Sequence, residues 1–217
     1  MNCIVTAGPT YENLDEVRRL TNFSTGTLGS QLANFLVGRG HIVELLLGHY
    51  ATFRGEQKAQ RMQMFSTTAD LRERLQKFSG QKIDAVFHAA AVSDFTFGKI
   101  WARSAQGELR EIQSPKISTR GEALLAELAP TPKIIRELRG WFPNARIVGW
   151  KFELEGDRAS VVAKAARQIA ENKTDACVAN GRAYGDGFGL VTGAKVCVHF
   201  SQTSDLFAAL ENFAVQK

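Results

Sequence analysis

The stretch G-T-L-G-S-Q-L-A-N-F-L-V-G-R-G-H-I-V-E-L-L-L-G, Gly26 to Gly48, decides the fold. Leu32, Ala33, Leu36 and Val37 recur at helical spacing, and Gly38 and Gly40 close that helix. His41–Gly48 then reads as a buried strand. Upstream, Met1–Ala7 is a short apolar run halted by the breaker cluster A-G-P-T, a first strand entering a turn. Strand, glycine turn, helix and strand make a βαβ unit with a parallel pair.

The pattern continues outward. Phe65–Ser66 reads as the start of a short strand and Thr68–Phe78 as a helix with Thr67 or Thr68 at its N-cap. Ile83–Val92 is a further buried strand. Periodicity then fades from Ser93 to about Gly121, where polar and basic residues dominate, a composition suited to a mobile lid over about 95–122. Thr131–Arg139 reads as a helix with Pro132 in its first turn. Ala145–Gly149 is a strand, Arg158–Asn172 a helix, Asp175–Asn180 a strand, Val191–Phe200 a late strand of antiparallel type, and Ser204–Val215 a closing helix. This alternation predicts one α/β domain over residues 1–217, doubly wound about a mainly parallel sheet, with ligands at the carboxyl ends of its strands.

Composition bounds the function. The 217 residues are 44% hydrophobic and 23% charged, which excludes a disordered tail, a collagen-like fibre and a cysteine-rich scaffold. No apolar run reaches the roughly 18 residues that span a bilayer, and the start has no basic, apolar leader, so the expectation is a cytoplasmic protein with no membrane partner. Lys and Arg number 27 against 22 Asp and Glu, a net charge of +5 that suggests an anionic partner. The basic residues are scattered and no zinc-finger, basic-zipper or aromatic RNA-binding motif occurs, which favours small phosphorylated ligands over nucleic acid. Cys3, Cys177 and Cys197 lie in apolar runs without C-x-x-C spacing, reduced and buried, so no metal site is expected.

Five segments carry candidate chemistry. Gly26 and Gly29 open the first helix, where backbone amides can approach a phosphate near the positive helix end. The loop lacks G-x-G-x-x-G, and Glu44 lies inside the second strand, so NAD is disfavoured. Arg18 can hold an anion bidentately, and Asn22 can donate and accept at once. The same residues, with Glu12 and Glu16, also fit a solvated helical turn. In H-A-A-A-V-S-D-F, His88 to Phe95, three alanines let a ligand lie against the backbone and Asp94 offers a carboxylate, while His88 reads as a core histidine without a catalytic role. The S-P-K-I-S-T-R-G stretch, Ser114 to Gly121, places a basic residue on the polar segment. The A-P-T-P-K-I-I turn aims helix amides at an anion, and Trp150 in V-G-W-K-F-E-L-E suits stacking on a base.

Together these segments resemble the phosphopantothenate–cysteine ligase family. The matching runs, in the family's order, are T-A-G-P-T-Y-E-N-L-D-E-V-R, T-N-F-S-T-G-T-L-G, A-A-V-S-D-F, P-K-I, P-T-P-K-I-I, V-G-W-K-F-E-L-E and D-A-C-V-A-N. The resemblance implies a Rossmann-like fold and a homodimer whose sites use both subunits. It implies a two-step reaction: the carboxylate of 4′-phosphopantothenate attacks the α-phosphate of ATP or CTP, and the cysteine amine then displaces the nucleotide. By the same resemblance Asn22 handles the acyl intermediate, with Arg18, Ala90 and Ala91 near the substrate. Gly8, Ser24, Gly26, Gly29, Asp94, Lys116, Pro132, Lys133, Ile134, Ile135 and Trp150 fall on the nucleotide side, Lys116 as the lid lysine. Magnesium would accompany the triphosphate, and no flavin is implied because the family's flavin-dependent decarboxylase portion is absent.

Four departures are visible. The chain has Thr27 where bacterial members carry lysine, and the lid reads K-I-S-T from Lys116 onward. About ten extra residues, near Ile100–Arg110, precede that lid. Gln168 and Asn172 replace two helix lysines, with Arg167 and Lys173 one step away. The nucleotide is therefore left as ATP or CTP. A non-catalytic paralogue binding nucleotide or phosphopantothenate is the alternative, and an NAD(P)-dependent reductase a third reading.

Overall fold

The computed structural model describes residues 1–118, 123–193 and 196–216. In chain order, β1 (Asn2–Ala7) is followed by a hairpin of β2 (Tyr11–Asn13) and β3 (Arg19–Thr21), α1 (Thr27–Gly38) and β4 (Ile42–Gly48). Then come β5 (Arg61–Phe65), α2 (Thr68–Gln76), β6 (Ala85–His88), β7 (Phe95–Arg103), β8 (Leu109–Glu111) and β9 (Ala123–Pro130). The rest is α3 (Ile134–Trp141), β10 (Arg146–Phe152), α4 (Arg158–Asn172), β11 (Ala176–Asn180), β12 (Phe188–Thr192), β13 (Val196–Phe200) and α5 (Thr203–Val215).

Among the described residues, eight strands form one sheet in the order β13-β12-β11-β10-β6-β1-β4-β5. The six strands from β11 to β5 are parallel, and β12 and β13 add an antiparallel edge. This is the doubly wound α/β fold that the alternation predicts. From β1 the chain winds outward to β4 and β5, then returns through α2 to β6 on the other side of β1. The strand order thus reverses between β1 and β6, and a crevice opens at their carboxyl ends.

Burial explains the unbroken apolar runs. Residues 3–7 of β1 and 85–88 of β6 are buried because helices cover both faces of the sheet. One face packs Leu32 and Leu36 of α1 with Leu206 and Leu210 of α5 against Val5, Leu45 and Phe87. The other packs Leu71 and Leu75 of α2 with Ile134 and Leu138 of α3 against Ile4, Leu46, Val86 and Ile147. Val161, Ala165 and Ile169 of α4 cover Cys177 and Ala179. Cys3 and Cys177 are free and buried, and burial pushes both thiols up to about 12.

Several expectations need correction. Phe65 ends a strand rather than beginning one. Residues 11–21 form the β2–β3 hairpin, not a helical turn: Glu12 is buried and accepts the Thr68 amide, and Arg18 pairs with Asp15. The strand expected over 83–92 shortens to β6, since Ala89–Ala91 leave the sheet. The late strand is a β12–β13 hairpin. Pro132 precedes α3, whose N-cap is Lys133.

The aperiodic stretch differs most. It holds β7 and β8, and with β9 these form a separate three-stranded antiparallel sheet. The extra residues near 100–110 are the β7–β8 hairpin. Thr119, Arg120, Gly121 and Glu122 of the expected lid lie outside the described residues.

Candidate functional site

The crevice between β1 and β6 is built by a backbone exchange. Ala91 donates its amide to Gly8 O at 2.9 Å, and Thr10 donates to Ala91 O at 3.1 Å. This ties the two departing loops side by side, Pro9 bridging Ala91. Asn22, carried there by the β2–β3 hairpin, donates Nδ2 to the same Ala91 carbonyl at 3.1 Å and is exposed. Its Oδ1 therefore stays available beside Ala90 and Ala91.

The entry of α1 forms the next wall. Gly26 is its N-cap with φ 73°, a conformation only glycine adopts without strain, and it packs on Gly8 and Ala51. Gly29 faces β1 so closely that a Cβ would stand 2.6 Å from Ala7 Cβ. Gly26 offers no side chain to cap α1 and the first turn holds no acid; Thr25 Oγ1 accepts the Thr27 amide at 3.3 Å, and the positive end of the helix borders the cavity.

A cavity of about 1060 Å³ occupies this crevice and extends toward α3, β10 and α4. Asn22, Ser24, Gly26 and Gly29 line one end. Ala90, Ala91 and Asp94 line its floor and rim. Pro132, Lys133, Ile134, Ile135 and Trp150 line the other end. Twelve sequence-selected positions are thus brought around one cavity, the size of a nucleotide plus a second small ligand.

Its electrostatics are mixed. Lys133 Nζ is ion-paired with Asp94. Glu153 Oε2 lies 2.6 Å from Lys164 Nζ and Glu153 Oε1 lies 3.0 Å from Lys151 Nζ; the Lys164 hydrogen bond is the main reason the Glu153 carboxyl is held below its ordinary range. Arg136 and Arg167 line the same cavity and are exposed. On the wall, Trp150 Nε1 and Asn180 Oδ1 are buried with no hydrogen-bond partner among the described residues. An unmet buried polar group costs about 1–3 kcal/mol, so a ligand that reaches either one gains accordingly.

His88 also lines the cavity, though it is only 6% exposed. Its Nδ1 lies 2.9 Å from Thr6 Oγ1, and burial pushes its pKa down to about 4. It is a neutral donor or acceptor in the wall, not a cation.

Three expected residues lie elsewhere. Gly8 supports Gly26 from beneath. Arg18 donates Nε and a terminal nitrogen to Asp15 and the latter also to Ile117 O, 2.7 Å away. Asp15 additionally accepts the Ile117 amide, and Glu16 N donates to Pro115 O. Lys116 is therefore exposed between two tethered neighbours, beside Arg18 and outside the cavity. The guanidinium of Arg18 holds the Asp15 carboxyl well below the usual range. Glu44 is buried within β4 and accepts from Gln63.

Arg136, Lys151, Glu153 and Lys164 are wall residues that sequence reasoning passed over, while Arg167, one step from a replaced helix lysine, and His88, read as a core histidine, also line the cavity. Lys151 and Glu153 carried a usable signal, since alternate residues at the end of an apolar strand share one face. Arg136 and Lys164 carried none, because α3 and α4 meet only in the fold.

A family profile described as the DNA/pantothenate metabolism flavoprotein C-terminal domain matches residues 1–210. The coenzyme A biosynthesis bifunctional protein CoaBC of Thermococcus kodakarensis is 31% identical over 178 residues, covering 82% of this chain and 40% of that protein. Its namesake from Bacillus subtilis is 30% identical over 190 residues, covering 87% and 42%. The chain thus spans about two fifths of the length of these relatives. Among solved structures, the DNA/pantothenate metabolism flavoprotein from Streptococcus pneumoniae is similar with a TM-score of 0.84 and 25% identity, covering 98% of this chain and 97% of that one.

Proposed function

The chain belongs to the family of the DNA/pantothenate metabolism flavoprotein C-terminal domain, and from that premise we propose that it is a phosphopantothenate–cysteine ligase of coenzyme A biosynthesis. Residues 1–217 act as one ligase unit. In the first step the carboxylate of 4′-phosphopantothenate attacks the α-phosphate of ATP or CTP, forming an acyl-nucleotidylate and releasing pyrophosphate. In the second the cysteine amine attacks the acyl carbon, an amide forms, and the nucleoside monophosphate leaves with the bonding electron pair.

The observation that carries this reading is the convergence of Asn22, Ala90, Ala91, Asp94, the 132–135 turn and Trp150 around one cavity at the switch point. The reaction needs two anionic substrates aligned for attack, and orientation of this kind supplies much of the rate. Asn22 Nδ2 is fixed by Ala91 O, so its Oδ1 and second N–H are oriented toward the acyl group. Amides of the α1 first turn face phosphate oxygens, and Trp150 flanks the base. Among the described residues no three His, Cys, Asp or Glu side chains converge on a metal position. Magnesium would accordingly enter as the counter-ion of the triphosphate, and no residue here is assigned to it.

Arg18 and Lys116 share a face outside this cavity. In the homodimer we propose, that face serves the cavity of the second copy. Apolar side chains that a lone chain would leave in water support a partner there: Val17 and Leu20 of the β2–β3 hairpin, and Leu124, Leu125 and Leu128 on β9, are exposed. No helix among the described residues is long and apolar enough to cross a membrane, and the cytoplasm is the proposed location.

The test is direct. Protein is incubated with 4′-phosphopantothenate, cysteine, magnesium and either ATP or CTP, and pyrophosphate is measured. Release that requires phosphopantothenate supports the ligase. Lys116 lying outside the cavity favours a second reading, a non-catalytic binding paralogue, for which nucleotide binds and no pyrophosphate appears.

A further inference from the structure

Among the described residues five cations line the cavity, and three of them are spoken for. Lys133 is paired with Asp94, and Lys151 and Lys164 with Glu153. Arg136 and Arg167 have no acidic partner among the described residues. Glu171, one turn beyond Arg167 and also on the wall, makes no ion pair with it there.

Both arginines stand on firmly anchored backbone. Arg136 follows Ile134 and precedes Leu138, both buried, while Arg167 sits between buried Ala165 and Ile169. The two helices converge over a single strand position. A Cβ on Gly149 would meet Gln168 Nε2 at 2.5 Å and Ile135 Cδ1 at 2.9 Å. Those are the sequence neighbours of Arg167 and Arg136, and both arginines line the cavity that this contact bounds.

We propose that Arg136 and Arg167 form a two-pronged clamp for a phosphate group of the bound ligand, closing the α3–α4 side of the cavity. A guanidinium offers phosphate two parallel N–H donors in a planar fork. Two such forks on opposite helices bind a multiply charged anion, while the lysines already held by Glu153 orient the wall around it. The phosphate has two sources under the ligase reading on which this rests: the nucleotide's triphosphate or the 4′-phosphate of phosphopantothenate.

Titration calorimetry on the full chain separates them. Wild type, Arg136→Ala, Arg167→Ala and the double variant are titrated with ATP, CTP, pyrophosphate, 4′-phosphopantothenate and pantothenate. Each single variant is expected to weaken the relevant phosphate ligand about tenfold, the loss of one charge-assisted hydrogen-bond pair. The double variant should weaken it further and flatten the salt dependence, with pantothenate unaffected. Loss confined to the nucleotides and pyrophosphate assigns the clamp to the triphosphate, and loss confined to phosphopantothenate assigns it to the other substrate. Arg61→Ala, an exposed cation outside the cavity on β5, should change nothing. Wild-type affinity of the double variant for every phosphate ligand overturns the clamp, as does an equal loss in Arg61→Ala. Arginine-dependent binding in a protein that makes no product would keep the clamp and remove the ligase reading. Normal turnover with arginine-independent binding would do the reverse.

Discussion

The Thr6 hydroxyl joins the cavity wall to the sheet through His88. Thr6 Oγ1 takes the Ala90 amide N–H at 3.1 Å and stands 2.9 Å from His88 Nδ1. The hydroxyl keeps both a proton and a second lone pair for Nδ1, so the bond forms with either tautomer of the neutral imidazole. The backbone at Ala90 is fixed by the same oxygen.

This arrangement predicts an acid-labile fold. The imidazole titrates at about 4 in the folded chain, against an ordinary value of 6.5. Between those values the unfolded chain binds a proton that the folded chain refuses. Stability is therefore complete above pH 6.5 and falls progressively as pH drops toward 4, by about 3 kcal/mol for this one group. Urea titrations from pH 7 to 4 should show that slope, and His88→Gln should flatten it. An unchanged slope in the variant would remove His88 as its source.

The Lys116 segment should be released by Asp15→Asn. The Asp15 carboxylate accepts the amides of Val17, Arg18 and Ile117 as well as the Arg18 guanidinium. Trypsin should then cut after Lys116 several-fold faster than in wild type, while cleavage elsewhere is unchanged. Equal cleavage rates would show that another contact holds the segment.

Gly29→Ala and Gly38→Ala should act in opposite directions. Both lie in α1, where alanine is intrinsically better by about 1 kcal/mol. At Gly29 the new methyl would stand 2.6 Å from Ala7 Cβ and 3.1 Å from Thr6 O, whereas at Gly38 it meets nothing within 4 Å. Overpacking costs about 1–3 kcal/mol, so the melting temperature should fall for Gly29→Ala and rise slightly for Gly38→Ala. A rise in both would mean that α1 can shift away from β1 freely.

Asn22→Asp should separate the two half-reactions. A carboxylate here would face the Ala91 carbonyl that Asn22 now donates to, and would repel the charged acyl-nucleotidylate. Pyrophosphate release should persist in part while phosphopantothenoylcysteine formation falls by about a hundredfold, the scale set by losing an oriented transition-state contact. Wild-type product formation would take Asn22 out of the site.

How much of this was legible depends on how local each signal is. The bounds of α4 read true because the signal is local: Asp157 caps it with Ser160 in a reciprocal pair, and apolar residues recur at helical spacing. The β1–α1–β4 unit read true for the same reason. Residues 123–130 received no assignment, since A-L-L-A-E-L-A-P is made of good helix formers and becomes strand only by pairing with β7. The motif residues around the cavity were legible as a set through their resemblance to a family. The tether of Lys116 was not, because Asp15 and Ile117 meet across 102 positions. Arg136 was hidden likewise, and Arg167 was visible only as the neighbour of a replaced helix lysine, for helix residues far apart in sequence share a cavity only once the sheet has placed them.

The central claim is that this cavity activates a carboxylate by nucleotidyl transfer and couples it to an amine. Its most direct test is the product inventory, by mass spectrometry, of a reaction holding 4′-phosphopantothenate, cysteine, magnesium and ATP or CTP. Phosphopantothenoylcysteine, nucleoside monophosphate and pyrophosphate are expected in equal amounts with at least one nucleotide. Nucleoside diphosphate and phosphate in their place, or no coupled product with either nucleotide, would contradict it.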